Sequence, residues 1–289
     1  MIKTRQGGRD GRFRPHIAVC VGDSPALVAI LETIHKAGLH SSTVPLAGPL
    51  SWIRPHVAPD ALLYDLAPFT PAASTLVRDV RKLAPHLPIL LYPPPRYGVG
   101  ELLRRCARLP MVQVELQDPV APIAKTLRPA LGRIFRDAPA GKTLEMMSAA
   151  LPGRPHLTRH FLTAVLYGLQ AGRFPGRVRL DSVARTLETT RRALERSWKA
   201  NALMPPRELA AWAVLLLVAC SAETLGVTSV AAGRALGFDA QQLYRLRRRC
   251  LPHGGTLDRT TLSSVWVAFA RRCRERRLPS RLLVERMGW

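Results

Sequence analysis

The chain has 289 residues, 47% of them hydrophobic, with a mean hydropathy of +0.02. That composition is that of an ordinary soluble protein able to bury sizeable cores. Its 43 basic and 20 acidic residues give a net charge of +23 and a pI near 11.3, which points to a polyanionic partner. The excess is uneven, net +8 over residues 1–140 and +15 over 141–289. Only 6 of the 43 basic residues are lysine, a bias that accounts for arginine over lysine but not for basic over acidic.

The opening "MIKTRQGGRDGRFRP" (1–15) has no apolar core and reads as a basic disordered arm, not a secretory signal. Residues 16–135 then alternate apolar runs with amphipathic stretches. "HIAVCVG" (16–22), "SSTVPL" (41–46), "DALLYDL" (60–66), "PILLYP" (88–93) and "MVQVEL" (111–116) are predicted strands. "SPALVAILETIHKAG" (24–38), with Ser24 as cap and Gly38 as stop, and "ASTLVRDVRKLA" (73–84) are predicted helices. Nearly unbroken apolar strands alternating with helices predict a doubly wound parallel five-stranded α/β domain covered on both faces.

Pro/Gly punctuation in "RDAPAGKTLE" and "ALPGRPH" predicts a linker over 136–156, followed by an all-α domain over 157–289. The run "LAAWAVLLLVAC" (209–220) has 12 residues, too few to span a bilayer and suited to a buried helix, so no membrane is expected. The five cysteines are scattered without CxxC or Cys–His spacing, which suits thiols in a reducing cytoplasm and predicts no metal and no cofactor.

Two basic helical pairs lie about 49 residues apart in the C-terminal half. In "LDSVARTLETTRRALERSWKA" (180–200), Asp181 or Ser182 is placed to cap a short helix and Thr190 the next, with Leu194 and Trp198 inward. In "TSVAAGRALGFDAQQLYRLRRRC" (228–250), Thr228 or Ser229 caps the first helix. Gly233 allows a close crossing, Gly237 makes the turn and Phe238 plugs the pair. Asp239 and Gln242 have capping-box spacing. From the small residue (Ala184, Gly233) to the inward leucine (Leu194, Leu243) is ten positions in both. Arg192, Glu195 and Arg196 on one helix, and Gln241, Gln242 and Arg245 on the other, are the expected base readers. Gln pairs bidentately with adenine and Arg with guanine. Arg247 and Arg249, with Arg248 between them, suit phosphates.

These two pairs joined by the apolar helix resemble the DNA-binding domain of AraC/XylS transcription regulators over about 160–253. Glu188 stands where that family often has glycine. Arg248 falls where its second recognition helix usually carries a core aromatic. The resemblance implies two helix-turn-helix units reading successive major-groove segments of double-stranded DNA, in a cytoplasmic protein of the bacterial nucleoid. It leaves room for contact with RNA polymerase.

The order "PDALLYDL…LVRDVRKLAPHLPILLY" resembles two-component receiver domains, which places the phospho-acceptor position at Asp65. The first strand offers only Asp23 where receivers show a pair of acids. Tyr92-Pro93 replaces the hydroxyl residue after the fourth strand, and Gln117-Asp118 the lysine after the fifth. The resemblance therefore implies a pseudo-receiver with a vestigial Asp65, serving homodimerisation or another input, and no enzyme. The rivals are a phosphorylation-dependent response regulator using Asp65 and a recombinase. The second rests on "HLTRHF" (156–161), which lacks a nucleophilic tyrosine at suitable spacing. "APAGKT" (138–143) has Arg136 where a phosphate loop needs its first glycine, so it reads as a turn.

Overall fold

The computed structural model describes residues 15–21, 26–45, 59–65, 71–85, 87–94, 100–109, 111–151, 155–199, 204–251 and 261–277. The expected arm, Asp23 and Ser24 lie outside these. An α/β unit comprises Arg14–Lys142 and Tyr167–Arg173; a helical unit includes Thr143–Leu166 and Phe174–Trp289.

Five strands form the sheet of the first unit: β1 (His16–Val21), β2 (His40–Pro45), β3 (Ala61–Asp65), β4 (Ile89–Leu91) and β5 (Val112–Val114). All pairs are parallel, in the order β2-β1-β3-β4-β5. That order reverses direction between β1 and β3, as a doubly wound sheet does. The central strands read as continuous apolar runs because both of their faces are covered. Ala18, Cys20, Leu62, Tyr64, Ile89 and Leu91 pack with Val77 and Val80 of α2 (Pro71–Leu83) and Leu103 and Cys106 of α3 (Gly100–Ala107). Helices α1 (Leu27–Lys36) and α4 (Ile123–Asp137) pack against each other, and α4 also against β4. Gly38 ends α1 as expected, with φ +76°.

Helices α3 and α4 carry no clear sequence signal, since a Pro/Gly-rich lead precedes one and Pro129 interrupts the other. The segment expected as a linker contains a 12-residue helix, α5 (Pro139–Ala150). Its glycine serves packing: a Cβ at Gly141 would lie 2.7 Å from the Arg136 carbonyl oxygen and closer still to that of Phe135. A buried ion pair closes the strand entrance of this unit. The fully buried Asp60 carboxylate accepts the His16 N–H and Arg173 Nη2, each at 2.7 Å.

The helical unit contains α6 (Pro155–Gln170) in part, α7 (Leu180–Thr186), α8 (Arg191–Lys199), α9 (Pro206–Leu225), α10 (Ser229–Ala235), α11 (Ala240–Cys250) and α12 (Leu262–Arg277). The apolar run extends into a 20-residue helix, α9, longer than the run itself; every residue of 209–222 is buried. With no polar face to present to water, α9 forms the core against which α10, α11 and α12 pack. Trp212 of α9 meets Phe269 of α12 with ring centroids 5.6 Å apart, and Phe161 meets Trp198 at 4.8 Å.

Candidate functional site

The two helix pairs, α7–α8 and α10–α11, are built alike at a constant offset of 49 residues. The Leu187 N–H donates to Ala184 O at 3.1 Å, and the Leu236 N–H to Gly233 O at 3.0 Å. Glu188 donates to Arg185 O and Gly237 to Arg234 O, at 3.1 and 2.9 Å. Thr189 and Phe238 donate to Ala184 O and Gly233 O, both at 2.9 Å. The turn requires a left-handed residue, supplied by Glu188 (φ +53°) and Gly237 (φ +85°). The next helices are capped by matching residues, Thr190 Oγ1 accepting Ala193 N–H and Asp239 Oδ1 accepting Gln242 N–H. At Gly233 an added Cβ would fall 2.2 Å from Leu243 Cδ1, so the small residue sets how closely α10 and α11 cross. Only the first cap of α7 differs from expectation: Arg179 occupies that position with no side-chain bond, and Asp181 lies inside the first turn.

The structure gathers Arg192, Glu195 and Arg196 with Lys199 around a depression of about 380 Å³ on α8. Glu195 is already engaged, its Oε1 accepting Arg191 Nε at 2.9 Å. On α11, Gln241, Arg245, Arg248 and Arg249 are exposed. Gln242 completes the capping box: its Oε1 accepts the Asp239 N–H at 3.0 Å. The side chain is thus folded back on the helix start, oriented for capping and not for the bidentate pair with adenine.

Arg247 also departs from expectation. It is only 4% exposed, because it stands at the position equivalent to the buried Trp198 and i+4 from the buried Leu243. It does not share the exposed face of Arg245, Arg248 and Arg249, where its expected role would place it. Arg248, expected at the aromatic position, instead lies in solvent with its guanidinium 5.9 Å from the Tyr244 ring. Tyr244, 47% exposed, belongs to the same outer face.

A second cavity, of about 450 Å³, opens beside α11 where the segment before α7 and the first turns of α9 meet it. Arg177, Arg179 and Arg207 join Arg245 and Arg249 on its walls. No local motif marks the first three as partners, since they come from two separate stretches of chain.

In the α/β unit, Asp65 ends β3 in register with Val21, and its side chain lies outside the described residues. The positions that receivers fill with hydroxyl and lysine make structural bonds here. The Tyr92 hydroxyl pairs with Thr126 Oγ1 at 2.5 Å, and Gln117 Nε2 donates to Tyr92 O at 2.8 Å. Asp118 caps the following turn; the Val120 and then the Ala121 N–H hold its carboxyl below the usual carboxylate range. Among the described residues no group of three His, Cys, Asp or Glu is placed to hold a metal ion. The Tyr167 hydroxyl donates to Phe135 O from a buried position.

No protein-family model, curated protein or solved structure matches this chain.

Proposed function

We propose that the chain is a sequence-specific, double-stranded-DNA-binding transcription regulator of AraC/XylS type, with α7–α8 and α10–α11 as its two helix-turn-helix units. The observation that carries the reading is the hydrogen-bonded repeat at 49 residues, in which two pairs share the turn bonds and the cap of the following helix. A basic surface helix needs none of this; two recognition helices held by one rigid helix need all of it. Arg192 and Arg196 of α8 and Gln241 and Arg245 of α11 are the base readers, with Glu195 free to act only on release from Arg191. Arg249 and other exposed arginines neutralise phosphates. The reading is tested by selecting duplexes from a random library with the full chain. A sharp motif of two segments about one helical turn apart supports it, and an unenriched library refutes it.

The α/β unit then acts as a pseudo-receiver for homodimerisation or another input. Support comes from Tyr92 and Gln117, which spend their side chains on structural bonds where a receiver needs a phosphate switch. Phosphate uptake on Asp65 from a small phosphodonor with Mg²⁺, together with loss of regulation in Asp65→Asn, would instead establish a phosphorylation-dependent regulator.

A further inference from the structure

We propose that the cavity beside α11 is a binding site for a nucleotide phosphate. The guanidinium groups of five of its lining arginines, Arg177, Arg179, Arg207, Arg245 and Arg249, make no ion pair or hydrogen bond among the described residues. The remaining one, Arg191, is taken by Glu195 and by Asp181, at 2.9 and 3.5 Å. Asp181 is the single acid among the lining residues, so the cavity is left with a strong surplus of positive charge. Like charges converging on one concave site repel each other, and an anion relieves that repulsion.

The chemistry of the walls selects the anion. Guanidinium forks match phosphate oxygens bidentately and bind them more specifically than point charges do. The floor is apolar: Ala210, Ala211 and Val214 of α9 and the plugging Phe238 are each at most 5% exposed. A phosphate carried on a flat organic body therefore fits better than a bare inorganic ion. The volume of about 450 Å³ lies in the range of ligand pockets.

The rim is preorganised. The Gly176 N–H donates to Gly237 O at 2.7 Å, which seats the segment before α7 on the turn between α10 and α11. Gly176 has φ +66°, and a Cβ there would lie 2.9 Å from Gln242 Nε2. Arg177 and Arg179 are thus carried on a fixed loop over the first two turns of α11, which supply Gln242 and Arg245. A ligand in this cavity occupies ground next to a proposed base reader, so binding there is coupled to binding of DNA. The nucleotide comes either free from solution or from a strand of bound DNA.

The experiment uses the full chain and the Arg177→Gln/Arg207→Gln variant, neither residue being a proposed base reader. ADP and inorganic pyrophosphate are titrated at low salt without DNA, and duplex binding is followed across a salt series. If the ligand is free nucleotide, ADP binds more tightly than pyrophosphate, duplex competes with it, and the variant weakens it by about tenfold or more. If the ligand is a DNA strand, ADP does not bind, and the variant lowers the salt slope by about two units on cognate and scrambled duplexes alike. Phenylglyoxal labelling of the unmutated chain gives a second readout, with Arg177, Arg179 and Arg207 protected by ADP or by duplex. Equal ADP affinity and equal salt slope in the variant, or labelling unchanged by both ligands, overturns the proposal. Discrimination between cognate and scrambled duplexes is read separately, so failure of the cavity and failure of the DNA-reading function are distinguishable.

Discussion

The two turns make a reciprocal prediction, because they share hydrogen bonds but differ in the residue that bears the left-handed backbone. An L-residue in that region costs about 1–2 kcal/mol, and replacing glycine by another residue recovers about 0.4–1 kcal/mol from the unfolded chain. Gly237→Ala should therefore destabilise, and more than this difference suggests, since its Cβ would meet the Pro175 Cα at 3.2 Å. The expected net loss is about 1–2 kcal/mol. Glu188→Gly removes the same strain from an exposed position and should stabilise by about 0.5–1 kcal/mol. Urea unfolding of the full chain, followed by tryptophan fluorescence with Trp198 and Trp212 buried in the helical unit, reads both. A neutral Gly237→Ala, or a destabilised Glu188→Gly, would mean that the two turns are not equivalents, and the duplication argument would fail with them.

Removing the carboxylate in Asp60→Ala leaves a buried charge network without its acid and should cost about 3–5 kcal/mol; a midpoint shift worth less than about 1 kcal/mol would contradict the assigned pairing. Arg247→Ala should lower the unfolding midpoint and leave the salt slope of duplex binding unchanged, whereas Arg249→Ala should lower the slope by about one unit. The reverse pattern would place Arg247 on the surface. Burial pushes the Cys20 and Cys250 thiols up to about 12 from an ordinary 9, so they stay protonated in the fold after the unfolded chain has ionised. Their contribution is complete below pH 9 and is lost as pH rises towards 12; the Cys20→Ala/Cys250→Ala variant should lose stability less steeply over that window, and equal slopes would refute it.

The strands of the sheet were legible because a strand covered on both faces must be apolar at every position, and "DALLYDL" or "PILLYP" can be little else. The helix pairs were legible because each copy has a small residue and, ten positions on, a leucine, all four of them buried. Helices α4 and α5 were hidden by Pro129 and by "PAGKT", where the residues that normally break helices are tolerated by their packing. Arg247 was misplaced by one residue of helical phase. The offset of 49 from Trp198, itself read as inward, places Arg247 inside as well, whereas the family pattern puts the core aromatic at Arg248. The capping box was readable at Asp239 and Gln242, although its consequence for Gln242 as a reader depends on where the oxygen points. The arginine-lined cavity was not readable at all, since 177–179, 207 and 245–249 converge only in the folded chain.

The most direct test of DNA reading is binding of Gln241→Ala and Arg245→Ala to the selected duplex and to a scrambled one, across a salt series. Each substitution is predicted to cost about 1–3 kcal/mol on the selected duplex, to relax preference at one or two positions, and to leave the scrambled duplex nearly unaffected. Equal losses on both duplexes would show that α11 acts through charge alone and would contradict the account.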